Sequence, residues 1–324
     1  MKELKKVKDF YNTENDKLYT IENGLHVRDI IIDAGVKEEV YIGQVADLHY
    51  NYCNQQDFDE ANPVVMSSYE NRTWQANAAS VPVARKCLEF ISDSDQMIVN
   101  GDTLDYLTYG AMELMQKEIW DKYPNVLATL GGHELTRKMQ GKVPDETTLE
   151  SRLELLQDFW QHNIYYESRV IKDSVMVVCL LNDHGRYNSY QAEKLKADLA
   201  LAREKNYPVL VFQHEPINTY NPRHNPYSKD DVIMIGFEGG ISTNYCDDAK
   251  RAGSKDRSEE ELEVYNLIVN SADIVKAVFA GHLHNHMCLD IFGKTPDGKD
   301  AVIPQYIHYS SVYDEGHIMR IIVK

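Results

Sequence analysis

Along the chain, short runs rich in Val and Ile alternate with longer segments in which apolar side chains recur every three or four positions. The first pattern marks strands and the second marks helices with one buried face, so their alternation predicts an α/β fold. Strands are predicted over residues 27–32, 39–45, 96–99, 126–130, 175–181, 209–212, 274–279, 287–291, 301–308 and 318–323. Helices are predicted over 72–91, 105–122, 150–162 and 191–205, and Ser258 with Glu261 has capping-box spacing for a helix running to Ile268. Two stretches, 50–69 and 216–257, follow neither period and are expected to be functional loops. Residues up to about Gly24 are expected to form a short helix or a loose extension. No repeat or linker composition divides the chain, so one domain over residues 1–324, with 216–257 as a loop insertion, is the expectation.

Five of the predicted strands end directly in a polar cluster. They read YIGQVADLH with Asp47 and His49, MIVNGDTLD with Asp102 and Asp105, VLATLGGHE with His133 and Glu134, VLVFQH with His214, and AVFAGHLH with His282 and His284. Carboxyl ends of strands in an α/β sheet line a common crevice, so these residues are expected to converge. Carboxylates and imidazoles without thiolates suit divalent Mn, Fe, Zn, Ni or Co, and this many histidines argue against a Ca²⁺ site or a pure Mg²⁺ site. Six such side chains exceed the needs of one ion once water is counted, which implies a pair. Two close ions can clamp both oxygens of an in-line displacement at phosphorus.

The 324 residues carry 34 Lys and Arg against 51 Asp and Glu, a net charge of −17. That field disfavours tracking of long nucleic acids. The longest apolar run, residues 175–181, is far short of the roughly 20 residues of a membrane helix, and the charged start is unlike a signal peptide. A soluble cytoplasmic protein is therefore expected, acting on a small phosphorylated substrate without a membrane. Five scattered cysteines with no Cys-x-x-Cys pair are expected to be reduced and mostly buried. Of the seven histidines outside the strand-end clusters, His26, His162, His184, His224, His286, His308 and His317, most are expected to be ordinary surface or core groups.

The ordered set of clusters resembles the calcineurin-like metallophosphoesterases, whose pattern is Asp-x-His, Gly-Asp-x-x-Asp, Gly-Asn-His-(Asp/Glu), a lone His, then Gly-His-x-His. Four of the five blocks match fully between Asp47 and His284. The resemblance implies a four-layer α/β/β/α sandwich of two mixed sheets with metals at one edge. It further implies that Asp47, His49 and His284 hold one ion, that Asp102 bridges, and that His214 and His282 hold the second. His133 would protonate the leaving oxygen and Asp105 would orient it. The implied reaction is hydrolysis of a phosphoric mono- or diester by in-line attack of a metal-bridging hydroxide. Two divalent ions, two aspartates and one hydroxide leave about +1 at such a site, opposite in sign to the chain as a whole.

The third block departs from the family, because Gly132 stands where it has an asparagine that ligates the second metal and touches the phosphate. The second ion is therefore expected to be weaker. The alternative reading is a non-catalytic metal- or phosphate-binding protein of the same fold. A backbone amide or water near Gly132 is the expected substitute, while Gln213 is expected to point away from its neighbour His214. Arg186, Arg223 and His224, in loops after motif strands, join Gly132 as candidate contacts to substrate.

Overall fold

The structure is a computed structural model that describes residues 19–60, 80–136, 149–182, 187–217, 259–284 and 286–324. The first sheet holds β1 (Thr20–Glu22), β2 (Leu25–Ile32), β3 (Val40–Val45), β4 (Gln96–Asn100), β5 (Leu127–Thr129) and the late strand β12 (His317–Val323). The second holds β6 (Tyr166–Ile171), β7 (Val175–Leu180), β8 (Val209–Gln213), β9 (Val275–Ala280), β10 (Met287–Lys294) and β11 (Asp300–Ile307). Their orders are β1-β2-β12-β3-β4-β5 and β10-β11-β9-β8-β7-β6. Both sheets are mixed: β3, β4 and β5 run parallel, as do β7, β8, β9 and β11, while β12 is antiparallel to β3 and β10 to β11.

Seven helices are described: α1 (Gln55–Glu60), α2 (Ser80–Phe90), α3 (Tyr109–Met115), α4 (Gly132–Thr136), α5 (Leu149–Phe159), α6 (Ser189–Lys205) and α7 (Glu259–Val269). Three apolar clusters separate the layers. Between the sheets, Ile42, Ile98 and Ile321 face Val177, Phe212 and Phe279, with the two phenylalanine rings stacked at 4.8 Å. On the outer face of the first sheet Val99 and Ala128 pack with Leu88, Met115 and Leu156 of the helices. On the outer face of the second, Val178 and Val211 pack with Leu195, Leu199 and Ile268. The four-layer arrangement is thus observed, and the strands buried on both faces are those that read as unbroken apolar runs.

All ten predicted strands are present, and two were unforeseen. Strand β1 pairs antiparallel with β2, so residues 20–22 are neither helix nor loose extension. Strand β6 forms a hairpin with β7 across a turn in which Lys172 and Asp173 take φ of 51° and 48°, the left-handed geometry of a tight hairpin turn made without its usual Gly or Asn. The helix predicted from residue 105 begins at Tyr109, capped by the Thr108 hydroxyl accepting from the Ala111 N–H, and continues beyond Met115 as a π-helical turn to Trp120. Asp105 is thereby left in the loop. Residues 55–60 of the predicted loop are helical, whereas 61–69, 72–79 and 218–258 lie outside the described residues. Helix α6 starts at Ser189 because Asn188 and Gln191 form a reciprocal capping box. Among the described residues Cys53, Cys87 and Cys179 are buried thiols outside any disulfide, and Cys288 is exposed. Among the described residues no helix is long and apolar enough to cross a membrane.

Candidate metal centre

The loops that leave β3 and β4 run side by side. Asp47 and His49 donate their backbone N–H groups to the carbonyls of Gly101 and Asp102, and Tyr50 donates to Thr103. This pairing sets the first two blocks together, while the Gly281 N–H donating to the His214 carbonyl does the same for the last two. Asp47, His49, Asp102, His282 and His284 all have left-handed φ, between 47° and 68°. Asp and His take this region at some cost, and residues held there cluster at functional sites. Glycines allow the close approach. A Cβ on Gly131 would lie 2.2 Å from Asp102 Oδ1, one on Gly101 would lie 2.3 Å from His214 Nδ1, and one on Gly281 would lie 2.6 Å from Asp47 Oδ2.

The predicted ligands are brought together. Asp47 with His49 and His284 forms one set, and Asp102 with His214 and His282 a second, the ligand atoms within each lying within 4.8 Å of one another. His284 Nε2 is 3.1 Å from Asp47 Oδ1 and 3.0 Å from His49 Nε2. His214 Nε2 lies 3.1 Å from Asp102 Oδ2 and 3.8 Å from Asp47 Oδ1, which joins the two sets. Asp105 Oδ1 lies 3.0 Å from His133 Nδ1, as the resemblance implied, and also 3.2 Å from His49 Nδ1. Asp105 thus meets the rings of both His49 and His133, and its main-chain carbonyl also lies 3.1 Å from His133 Nδ1. His133 Nε2 faces Asp102 Oδ2 at 3.9 Å, and the His133 side chain keeps 19% of its exposure in a centre where Asp105 is fully buried.

The charge balance shows what the centre is built to receive. Burial pushes the Asp47 and Asp102 carboxyls up, yet the neighbouring histidines, His284 and His214 foremost, outweigh it and hold both acids ionised, Asp102 well below the usual range. Burial pulls His214 down, but Asp102 and Asp47 more than reverse that, which marks a place where two carboxylates favour a positive charge. His282 is drawn down to about 3 by burial and then by His214, which keeps it in the neutral form that binds metals. His214 Nδ1–H donates to the Asn100 carbonyl at 2.8 Å, while its buried Nε2 finds no hydrogen-bond partner of proper geometry. An inward imidazole nitrogen whose outer nitrogen is anchored to a carbonyl is the arrangement of a metal ligand. The donor set therefore fits divalent ions.

Several supporting residues carried no signal in the sequence. Asn100, fully buried, accepts from the Thr129 hydroxyl and donates to the Phe279 carbonyl, tying β4 to β5 and to the second sheet. Ser310 donates to the Asp47 carbonyl at 2.9 Å, and the Tyr313 hydroxyl meets His284 Nδ1 at 3.1 Å. Glu134, named with the third cluster but given no role, accepts from the N–H groups of Leu104 and Gly131 and so clips the second block to the third. Burial and then Asp102 push it up to about 8, so it adds no charge at neutral pH. At the departure, Gly132 opens α4, and the next amide, His133 N–H, donates to Asp102 Oδ1 at 2.9 Å. Gln213 is engaged with Tyr187 and the Glu215 carbonyl, as its strand alternation foretold. Arg186, Arg223 and His224 lie outside the described residues.

Comparison with known proteins agrees with this geometry. No curated protein matches the chain. Among solved structures it is similar to a chain from Staphylococcus aureus described as a candidate 5'-nucleotidase (14% identity, TM-score 0.42, 88% of this chain and 51% of that one). It is similar to purple acid phosphatase PPD1 of yellow lupin (12%, 0.45, 92% and 46%) and to a dimetal phosphatase from Danio rerio (13%, 0.43, 84% and 87%). The chain thus spans about half the length of the first two. The family model of the calcineurin-like phosphoesterases matches residues 40–286, the span that carries every strand-end cluster described above. By that match, over more than half its length, the chain belongs to the calcineurin-like phosphoesterase family.

Proposed function

We propose that this protein hydrolyses a small phosphoric mono- or diester with two divalent transition ions bound by Asp47, His49 and His284 on one side and Asp102, His214 and His282 on the other. The observation that carries this reading is the position of His133, whose Nδ1 is held by Asp105 and whose Nε2 faces the ligand cluster from its solvent-touched side. When bound, such ions supply Lewis acidity toward phosphoryl oxygens and a nucleophilic oxygen at neutral pH. With Nδ1–H donated to Asp105, Nε2 is the atom of His133 left to deliver a proton to the departing oxygen. Asp105 keeps the His49 ring in register by the same contact. A pure binder would have no use for this oriented second imidazole.

Gly132 favours the rival reading, a binding protein that does not turn over, because a side-chain oxygen of the family pattern is missing beside the second set. Restoring it separates the two. Wild type is expected to cleave an aryl phosphate or its diester when Mn²⁺ is supplied. Gly132→Asn is expected to reach half-maximal rate at a metal concentration about 10–100-fold lower, the scale on which single ligand-supporting groups alter affinity. Metal titrations of activity and of bound ion would check both. No turnover by either protein on mono- and diesters, despite two bound ions, would leave the binding role standing.

A further inference from the structure

A second group of histidines gathers away from the metal centre. His26 on β2 and His317 at the start of β12 are register partners, and His26 Nδ1 lies 3.1 Å from His317 Nε2. Asp314, in the turn before β12, places Oδ2 3.3 Å from that same His317 Nε2. One ligand atom from each of the three lies within 4.8 Å of the other two. A tetrahedral ion with bonds of about 2.0–2.1 Å separates its ligand atoms by about 3.3–3.4 Å, so these spacings match, as do those around His284 in the first centre. Two ring nitrogens and one carboxylate oxygen, each able to hold a metal, thus converge on one point from two strands and a turn.

The surroundings are those of a built site. His317 Nδ1 meets His286 Nε2 at 3.2 Å, so the outer ring nitrogen is engaged and Nε2 is the one turned toward His26 and Asp314. Tyr19 packs edge-on against His26 at 4.8 Å, and the Tyr309 ring lies 4.5 Å from His317. The His317 side chain is 5% exposed and that of Asp314 63% exposed, so the cluster is buried at its base and open to water at its carboxylate. We propose that His26, His317 and Asp314 form a further metal site, distinct from the strand-end centre, that takes one borderline divalent transition ion such as Zn²⁺. Two imidazoles and one carboxylate suit that class over Mg²⁺ or Ca²⁺. The turn it pins also carries Ser310 and Tyr313, which hold Asp47 and His284. The ion therefore buttresses the first centre from behind.

The test is a difference in ion content. The full chain, saturated with Zn²⁺ and freed of excess by gel filtration, is expected to carry one ion more per chain than Asp314→Gly or His26→Gln treated identically. Glycine takes the left-handed φ of 53° at position 314 freely, so the turn is kept. An Asp102→Asn background is expected to retain this ion and to lose it on adding Asp314→Gly. Because the readout is a difference, it does not depend on how many ions the first centre holds. Equal zinc in wild type and in both single variants overturns the proposal, and so does equal zinc in Asp102→Asn with and without Asp314→Gly.

Discussion

His133→Ala is expected to lower kcat by about 10²–10⁴-fold on an alkyl phosphate, the usual worth of a positioned general acid, and to leave hydrolysis of an activated aryl ester much closer to wild type. The two leaving groups differ in their need for a proton, so the ratio of the two rates isolates the role of Nε2. The side chain lies at the open face with 19% exposure, and its ring is held from behind by Asp105. A Tm close to that of wild type would show that the loss is chemical. Steady-state kinetics on both esters, with Tm measured alongside, is the check. Equal losses on both substrates would remove the acid role from His133 and make it a ligand-shaping residue.

The second large effect is expected at Asp102. Asp102→Asn keeps the side-chain shape and a residue type that tolerates the left-handed φ of 47° at that position. Its Oδ1 can still accept the His133 N–H. What it removes is one of the two buried negative charges that draw cations to the site, the one 3.1 Å from His214. Changes one shell farther out cost about 10–100-fold in affinity or activity, so the expected loss of kcat/KM is at least about 100-fold, with at least one ion fewer per chain. Elemental analysis beside kinetics distinguishes this from misfolding. Unchanged ion content and rate would mean that Asp102 supports the loop and does not bind metal.

Much of the arrangement could be read before any coordinates. Strands β3, β4, β7 and β8 are covered on both faces, which forces nearly unbroken apolar runs that pattern alone detects. Strand β6 is half-exposed at a sheet edge, and its Glu167, Ser168 and Arg169 erase the apolar signal. The clustering of these side chains was legible because a strand end fixes where a polar residue goes, and five such ends in order leave few alternatives. Asp105 was read as belonging to a helix, since residues 105–122 carry helical spacing, and only the Thr108 cap shows that the helix starts later. Asn100, Ser310 and Tyr313, and the role of Glu134, were invisible for another reason. They act through hydrogen bonds to residues as far as 263 positions away, and no local period encodes such a contact.

The two sheets share the strand-end centre: Asp47, His49 and Asp102 leave the first, while His214, His282 and His284 leave the second. His284 and Asp47, in contact in the finished molecule, are 237 residues apart in the chain. The centre therefore cannot exist until both halves of the sandwich have docked. An ion captured there binds the native state and not the half-formed one, so it deepens the native basin without helping the chain find it. Metal is expected to slow unfolding in proportion to its occupancy and to leave the refolding rate unchanged, which stopped-flow measurements of both arms, with and without Mn²⁺, would show. The loaded protein would be a kinetically locked one, with the bolt placed across the seam between its two sheets.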